Sequence, residues 1–547
     1  MNFARLLEQR VRESANRLGY RYLQSDVEER CLTYGQLATN AHELAAVIRK
    51  HISPGQRVVL LYPAGLQFIQ AFFACLLANV VAVPLPIPKP NDTAHRLDHV
   101  LKDCEPAAIF TETGFLGHIS ALLPDAYQGA IAATDGNFDC ARIVQSLIVS
   151  EPDVAVLQYT SGSTSKPKGV VLCNANIFAN LRQIEVAFGH TCESSGVIWL
   201  PHYHDMGLIG GILQPLFAGF PVTLLSPISF IQRPLRWLQA IHKYRATTSG
   251  GPNFAYDLCV KKAASLESHI DLSSWDLAFN GAEPVRASTL NAFSAAFAHA
   301  GFRRTAFVPC YGLAEATLIV SAARKNREPL IIESSDPQLT THGVNVLAGG
   351  KLVSCGPSTE GARVDILRTD SEACCLEGEI GEIFVASPSV ANGYWGKSDR
   401  AFRPGSPNGV RTGDLGFQLN GELFITGRLS DLIIIHGKNL FAEDIEATMR
   451  SAEPILAQEG AVAFSVAGPA TEQLVLVQEV SSRSLRTLNL IAIRDEVSRL
   501  VLQRHGIGVG AFVPVKAGSL ARTSSGKISR FACKQLYVTQ KLIPLPM

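Results

Sequence analysis

The chain carries at residues 159–170 the stretch Tyr159-Thr160-Ser161-Gly162-Ser163-Thr164-Ser165-Lys166-Pro167-Lys168-Gly169-Val170. Five hydroxyl residues, two glycines and two lysines lie between Thr160 and Gly169, shortly after the apolar run Val154-Ala155-Val156-Leu157. The pattern predicts a strand that ends in a turn rich in hydroxyls and backbone N–H groups, which suits a polyphosphate. It is not a Walker A loop, because no glycine lies five positions before a Gly-Lys-Ser/Thr. A surface loop of serine and glycine has the same composition, so the stretch alone only indicates phosphate binding.

Length and composition indicate a globular protein of two or more domains. With 547 residues the chain is too long for one core, since domains typically hold about 100–200 residues. The 49 basic and 48 acidic residues balance, so nothing favours nucleic acid or an anionic membrane surface. The twelve cysteines lack a zinc-ligand spacing, and no secretory signal is apparent. We therefore expect free thiols, a cytoplasmic location and a monomer.

The order of apolar runs predicts an α/β protein. Up to about residue 340, β-branched runs alternate with amphipathic helical stretches, which predicts stacked α/β layers with largely parallel sheets. The candidate strands there are Ala107–Thr111, Val154–Tyr159, Val197–Leu200, Val222–Leu225, Leu277–Asn280 and Thr305–Val308. The uncharged run between Arg57 and Lys89 contains four prolines, so it predicts a buried βαβ unit rather than a membrane span.

The second half of the chain changes character twice. At about 341–427, short strands punctuated by glycine and proline predict a small β-barrel or roll. After Arg428 the pattern returns to a mixture of helices and strands. We therefore predict a large N-terminal domain of several subdomains, residues 1–427, and a small mobile α+β domain, residues 428–547.

Six motifs occur together in a fixed order. They are Thr160–Gly169, Gly281-Ala282-Glu283-Pro284, Tyr311-Gly312-Leu313-Ala314-Glu315, Arg411-Thr412-Gly413-Asp414, Gly427-Arg428-Leu429-Ser430-Asp431 and Thr523-Ser524-Ser525-Gly526-Lys527. In this order they resemble the adenylate-forming superfamily of acyl-CoA synthetases, luciferases and nonribosomal peptide adenylation domains. Each motif alone is a weak signal, but an accident would not produce all six in sequence. The resemblance covers nearly the whole chain.

The resemblance implies a reaction in which a carboxylate attacks the α-phosphate of ATP, leaving an acyl-adenylate and pyrophosphate. Two anions meet in that step, so cations must neutralise the developing charge. By resemblance, Lys527 binds the α-phosphate and the substrate carboxylate, and Glu315 and Thr164 hold Mg2+. The residues expected to bind ATP are Thr160, Ser161, Gly162, Ser163, Thr164, Lys168, Gly281, Ala282, Glu283, Tyr311, Gly312, Asp414 and Arg428.

Individual roles follow from the same resemblance. Tyr311 stacks on adenine, Asp414 accepts both ribose hydroxyls, and Arg428 donates near the ribose or the phosphates. Asp431 is the hinge between the two domains. Without the resemblance these residues have plainer readings: a core tyrosine, a turn aspartate, a surface arginine and, for Lys527, a solvated lysine near the C-terminus.

Two further segments resemble the fatty acyl-AMP ligases in particular. One is Pro201-His202-Tyr203-His204-Asp205-Met206-Gly207-Leu208-Ile209-Gly210, and the other is Tyr311–Thr317. Apolar residues follow at 206–217 and 224–231, which suits an alkyl tunnel ending at a catalytic His204, although they could equally fill a core. The long connection at about 321–356 resembles an insertion of these ligases that restricts rotation of the C-terminal domain. An ordinary surface loop is the alternative for this connection.

The sequence thus predicts activation of a medium- or long-chain fatty acid with ATP and Mg2+. The acyl group would then pass to the phosphopantetheine thiol of an acyl carrier protein on a separate chain. A fatty acyl-CoA synthetase is the first alternative, and an aryl- or amino-acid-adenylating enzyme is the second. A non-catalytic binding protein of the same fold is a third, against which the intact Lys527, Glu315 and Asp414 argue.

Overall fold

The computed structural model describes residues 2–26, 28–88, 95–136, 153–160, 167–333, 351–405, 407–435, 438–453, 455–456, 459–468, 472–482, 484–486, 488–523 and 527–546. Within these residues, no helix is long and apolar enough to cross a membrane. The phosphate-loop residues Ser161–Lys166 and residues 334–350 of the 321–356 connection lie outside the described part.

The first large sheet has six strands. In spatial order they are Ile131–Ala133, Ala108–Thr111, Arg57–Leu61, Val81–Leu85, Val154–Thr160 and Lys168–Cys173. All neighbours are parallel except the last pair, which forms an antiparallel hairpin. The uncharged run after Arg57 therefore forms a buried strand, the helix Leu66–Leu77 and a second buried strand. This is the buried βαβ unit that the sequence predicts for this run. The other helices of this region are Tyr34–His51, His95–Cys104 and Thr113–Ser120.

The second large sheet has eight strands. In spatial order they are Ile319–Ala322, Phe307–Gly312, Leu277–Asn280, Thr248–Gly251, Gly196–Ile198, Val222–Leu225, Leu18–Leu23 and Glu29–Thr33. The central pairs are parallel, which confirms the layered α/β prediction. Its helices are Phe3–Ser14, Asn174–Phe188, Gln214–Ala218, Pro227–Gln232, Leu235–Lys243, Asn253–Val260 and Ala287–Phe297. The predicted strand Thr305–Val308 is displaced, because residues 304–306 form a 3-10 turn and the strand continues to Gly312.

The β-rich region forms a five-stranded antiparallel sheet. Its strands are Arg363–Leu367, Gly381–Ala386, Gly409–Leu419, Phe402–Arg403 and Glu422–Arg428. A two-stranded antiparallel pair, Ile331–Glu333 with Lys351–Val353, stands on either side of residues 334–350. Cys355 N donates to the Leu423 carbonyl at 2.8 Å, so the end of the long connection is held by this sheet.

The C-terminal region has a core of its own. It contains the strand pair Leu432–Ile435 and Lys438–Phe441, the three-stranded sheet Ala461–Ala467, Glu472–Val480 and Val509–Lys516, and the helices Ala442–Ala452, Leu490–His505 and Arg530–Val538. Side chains from these elements form a separate buried cluster around Ile445, Leu476 and Val501. The α/β fold class with a separate α+β C-terminal part is thereby confirmed.

Candidate active site

One large cavity of about 2570 Å³ includes the carboxyl ends of the parallel strands and touches the C-terminal region. Loops leaving neighbouring parallel strands meet at such an edge, which makes it the usual ligand site of open α/β sheets. Eleven of the predicted site residues line it, namely Thr160, His204, Ala282, Glu283, Tyr311, Gly312, Glu315, Asp414, Arg428, Asp431 and Lys527. Gly281 and Lys168 lie outside the lining. Ser161, Gly162, Ser163 and Thr164 fall outside the described residues.

The ends of the predicted phosphate loop face each other. Thr160 pairs with Lys168 across the antiparallel hairpin. The ammonium of Lys168 lies 2.8 Å from Asp399 and 4.5 Å from the ring centre of Tyr394. Lys168 is therefore already paired with a carboxylate of the β-rich region.

Tyr311, Asp414 and Arg428 form one hydrogen-bonded cluster. The Tyr311 hydroxyl donates to Asp414 Oδ2 at 2.7 Å, and Arg428 Nε donates to Oδ1 at 2.6 Å. Asp414 stands opposite Arg428 in the paired strands and is nearly buried. The neighbouring Asp414 carboxylate raises the pKa of the Arg428 guanidinium, so this group stays a cation. Each carboxylate oxygen keeps a lone pair with which to accept a hydroxyl of a ligand.

The rest of the Arg411-Thr412-Gly413-Asp414 motif supports this aspartate. Arg411 pairs with Glu382, and the Thr412 hydroxyl donates to the Ile383 carbonyl at 2.8 Å. The Asp414 N–H donates back to the Thr412 hydroxyl oxygen at 3.1 Å. Arg411 and Thr412 thus fix the strand, while Asp414 faces the cavity.

Glu315 enters the cavity from a 3-10 turn after the strand Phe307–Gly312. Gly312 must be glycine, because a Cβ there would lie 1.8 Å from the Leu318 carbonyl oxygen. The Tyr394 hydroxyl donates to Glu315 Oε1 at 2.8 Å. Burial raises the pKa of Glu315, although the Tyr394 hydrogen bond opposes this. Within the described residues no three His, Cys, Asp or Glu side chains cluster as a metal cage.

His204 and Asp205 form a pair at the start of a π-helix, Met206–Leu213, a rare element often found at functional sites. His204 Nδ1 lies 2.5 Å from Asp205 Oδ1. Burial raises the pKa of Asp205, but His204, the Met206 N–H and Lys527 together lower it below its ordinary value. Asp205 is therefore an anion that can hold the His204 ring in one orientation.

Lys527 reaches the cavity from the C-terminal region. Its ammonium donates to the carbonyl oxygen of Ala282, in the segment that follows the strand Leu277–Asn280. Burial lowers the pKa of Lys527, while the carboxylates of Glu283 and Asp205 oppose that shift. Thr523 N donates to the Lys527 carbonyl at 2.7 Å, so the backbone of the lysine is tied to that of Thr523. The two parts of the chain thus meet at one cation.

Asp431, the predicted hinge, is held by the last helix. Arg530 Nη1 lies 2.5 Å from Asp431 and Arg530 Nε lies 2.8 Å from Glu446. Glu443 stands 3.5 Å from the same guanidinium. In this conformation Asp431 is therefore fixed by a shared arginine.

An apolar branch of the cavity runs between the eight-stranded sheet and the helix Asn174–Phe188. Its lining includes Ile184, Phe188, Ile198, Phe220, Val222 and Phe279. Of the apolar residues expected around His204, Met206, Ile228 and Ile231 line the cavity, whereas Leu208, Ile209, Ile212 and Leu213 pack into the core. The sequence thus indicated an apolar tunnel but not the side chains that line it.

The sequence pattern described as AMP-binding enzyme matches residues 7–395, which is more than half of the chain. The chain belongs to the AMP-binding enzyme family. A second pattern, Disco-interacting protein 2-like, AMP domain, matches residues 430–545. Both patterns fit the order of the motifs along the chain.

Several AMP-binding enzymes are similar over almost their full length. The medium-chain-fatty-acid–[acyl-carrier-protein] ligase JamA of Moorena producens is 38% identical over 97% of this chain and 94% of its own length. The long-chain-fatty-acid–AMP ligase FadD28 of Mycobacterium tuberculosis is 34% identical over 92% of both chains. A solved structure from a study of fatty acyl-adenylate ligases of E. coli and L. pneumophila has a TM-score of 0.86, with 31% identity over 99% of this chain and 98% of that chain. The L. pneumophila enzyme in complex with acyl adenylate and pyrophosphate has a TM-score of 0.73, with 35% identity over 99% and 96% of the two chains.

Sequence reasoning missed two side chains that support this candidate site. Tyr394 lies 79 positions from Glu315, and no spacing connects the two. Asp205 follows His204 directly within the segment Pro201–Gly210. A carboxylate next to a candidate catalytic histidine is the sequence feature from which its role could have been predicted.

Proposed function

We propose that the protein activates a fatty acid with ATP to an acyl-adenylate and then transfers the acyl group to the phosphopantetheine thiol of an acyl carrier protein. The observation that carries this proposal is the contact of Lys527 with Ala282. It brings the C-terminal cation into a cavity that also holds Asp205, Glu315 and Asp414.

The adenosine half of ATP has matching groups on one side of the cavity. Asp414 would accept the ribose hydroxyls with the lone pairs that Tyr311 and Arg428 leave free. Adenine would then lie against the segment Gly281–Glu283 and the ring of Tyr311. The triphosphate would extend toward Thr160, where the phosphate loop begins.

Adenylation joins one carboxylate oxygen of the fatty acid to the α-phosphorus and breaks the bond from that phosphorus to the bridging oxygen of pyrophosphate. The entering anion and the phosphate repel each other, and the Lys527 ammonium would reduce that repulsion by contacting both. Burial lowers the pKa of Lys527, and a cation that is partly withdrawn from water acts more strongly on charge in the cavity. His204, oriented by Asp205, would position the fatty carboxylate at the mouth of the apolar branch.

The donors present fit a magnesium ion that is bound mainly through the nucleotide. Mg2+ typically takes one or two protein carboxylates together with phosphate oxygens and water. Glu315 supplies one carboxylate in the cavity, and Thr164 is the second ligand we propose. When bound, the ion would neutralise charge on the phosphate oxygens.

A medium- or long-chain fatty acid is the substrate class that the cavity supports best. The apolar branch beside His204 would bury methylene groups, each worth about 0.8 kcal/mol when removed from water. JamA is by name a medium-chain ligase and FadD28 a long-chain one, and both are similar over more than nine tenths of the chain.

We further propose residues 428–547 as a mobile lid that turns about Asp431 between adenylation and transfer. The Arg530 ion pairs and the connection 321–356 would restrict that rotation. JamA is by name a ligase for an acyl carrier protein, which favours the carrier as acceptor. A fatty acyl-CoA ligase is the second candidate, because a Mycobacterium leprae relative of 34% identity is named a putative fatty-acid–CoA ligase.

The test is to supply fatty acid, ATP and Mg2+, and then either CoA or a carrier protein with its phosphopantetheine arm. We expect pyrophosphate release, followed by acylation of the carrier and little acyl-CoA. Efficient acyl-CoA formation would support the second candidate. Lys527→Ala should slow pyrophosphate release by roughly 100-fold or more, whereas Lys541→Ala, at an exposed position, should not. A full-rate Lys527→Ala enzyme would contradict the role of this lysine.

A further inference from the structure

A buried glutamate binds the segment of chain that leads to Lys527. Glu479 stands on the middle strand of the three-stranded C-terminal sheet and is 4% exposed. Its Oε1 accepts the backbone N–H groups of Gly518 at 2.9 Å and Leu520 at 3.0 Å. Its Oε2 accepts from Nη2 of Arg522 at 3.1 Å. One carboxylate thus binds every second residue of this segment.

The segment that Glu479 binds is paired in turn with the lysine. Thr523 N donates to the Lys527 carbonyl at 2.7 Å. Arg522 forms an antiparallel bridge with Ile528, the residue that follows the lysine. A displacement of Arg522 would therefore carry the backbone of Lys527 with it.

The lysine depends on this backbone for its reach. Its ammonium donates to the carbonyl oxygen of Ala282, which belongs to the N-terminal part of the chain. The side chain between ammonium and backbone is a flexible stem of four carbons, so it cannot by itself fix the charge at one place. Lys527 and Arg522 line the cavity, whereas Glu479 does not. Glu479 would therefore act on a ligand only through the segment that it binds.

We propose that Glu479 is the positioning residue of Lys527: its carboxylate holds the segment 518–522, and this segment places the ammonium for adenylation. This inference rests on the proposed function. In the adenylation step the ammonium contacts the α-phosphate and the fatty carboxylate together, and a misplacement of about 1 Å can slow such a step by roughly 100-fold. Without the Glu479 charge, Arg522 loses this anionic partner and the segment is held less firmly.

A purely structural glutamate is the alternative, because removing a buried carboxylate from its donors destabilises a fold whatever the segment does. The first experiment separates the two roles with a double-mutant cycle on pyrophosphate release. Glu479→Gln keeps the length of the side chain and removes its charge, and we expect the rate to fall roughly tenfold or more. In a Lys527→Ala enzyme, which has no ammonium to misplace, the same substitution should change the residual rate by less than about twofold. A structural role would lower both rates by the same factor.

Glu379→Gln is the matched control. Glu379 is also 4% exposed and also accepts a backbone N–H, that of Leu376 at 2.8 Å, but it lies in the β-rich region and does not line the cavity. This substitution should leave pyrophosphate release unchanged. Gly460→Ala is a second variant in case Glu479→Gln folds poorly, because a Cβ on Gly460 would overlap Glu479 Oε2. It displaces the carboxylate without removing its charge and should slow the reaction in the same way.

The second experiment needs no turnover. Limited acetylation of the protein with acetic anhydride, followed by mass spectrometry, measures how readily the amine of Lys527 reacts. In Glu479→Gln we expect Lys527 to react roughly tenfold faster, the effect of losing about one hydrogen bond to a charged group. In Glu379→Gln its reactivity should stay the same.

Three results would overturn the inference: an unchanged rate of pyrophosphate release in Glu479→Gln, an equal fall in the Lys527→Ala background, or an unchanged acetylation rate of Lys527. If the wild-type protein releases pyrophosphate with no fatty acid, the proposed function itself is wrong. The acetylation of Lys527 then decides alone whether Glu479 positions this lysine.

Discussion

Removing the hydroxyl of Tyr394 tests the proposal that Glu315 is the carboxylate ligand of Mg2+. It donates to Glu315 at 2.8 Å from a segment that is paired with the end of the phosphate-loop hairpin, where Trp395 N donates to the Gly169 carbonyl at 2.7 Å. Tyr394 therefore fixes the carboxylate relative to the hairpin strand Lys168–Cys173. Tyr394→Phe removes this hydrogen bond and keeps the ring, which packs 5.1 Å from the ring of Phe402.

We expect Tyr394→Phe to weaken the response to Mg2+ by ~10- to ~100-fold, the usual cost of losing a partner that orients a metal ligand. A hydrogen bond to a charged group stabilises the paired state by about 1.5–3 kcal/mol. We use the lower value of this range, because Glu315 is only partly buried. The Mg2+ concentration at half-maximal pyrophosphate release should therefore rise at least ~10-fold. KM for the fatty acid should stay the same.

Two further measurements separate this effect from general damage. Binding of Mn2+ in the presence of ATP, followed by electron paramagnetic resonance, should weaken in parallel with the Mg2+ response. The control is Tyr244→Phe, because the Tyr244 hydroxyl also bonds a carboxylate, Glu29, but neither residue lines the cavity. An unchanged Mg2+ response in Tyr394→Phe, or an equal change in Tyr244→Phe, would refute the reasoning.

Three other substitutions have defined outcomes. Gly312→Ala should abolish activity or folding, because its Cβ would meet a carbonyl oxygen at 1.8 Å, whereas Gly114→Ala meets nothing within 4 Å and should be neutral by melting temperature. Arg530→Gln leaves Asp431 and two other carboxylates without their cation, which should reduce the free energy of unfolding by ~3–5 kcal/mol. The melting temperature should therefore fall, and proteolysis near residue 431 should become faster. Burial lowers the pKa of His505 to about 4, so the folded state favours the neutral imidazole. Its contribution to stability is complete above about pH 6.5, the pKa of a free histidine, and decreases as the pH falls toward 4. His505→Gln should therefore reduce the drop in melting temperature between these two pH values.

Much of the fold could be predicted because the apolar runs carry local information. Val154–Tyr159, Val222–Leu225 and Leu277–Asn280 are strands within one residue of their predicted bounds. The strand Leu18–Leu23 was not predicted, because charged and polar residues interrupt it and its pairing with the distant strand Val222–Leu225 stabilises it. The π-helix after Asp205 was not predicted either, since its apolar run is equally compatible with an α-helix.

The candidate site divides in the same way. The motif order named Asp414, Glu315 and Lys527, and all three line one cavity although more than 200 positions separate the first and last of them in the sequence. The sequence could not identify Tyr394 or Asp399 as partners, because these contacts join segments that are far apart in the chain. It also could not separate lining residues from core residues in the apolar run after His204.

The α/β class and the family follow from local sequence, because strand-forming runs, turn glycines and short motifs can be recognised without knowing which residues they contact. The stretch from Thr160 to Gly169 belongs to this local information. Only tertiary packing establishes which charges meet, that Lys527 contacts Ala282, and that His190 and Thr248 line one cavity. These contacts join residues far apart in the chain, so they exist only after the strands have paired and the C-terminal region has packed against the cavity.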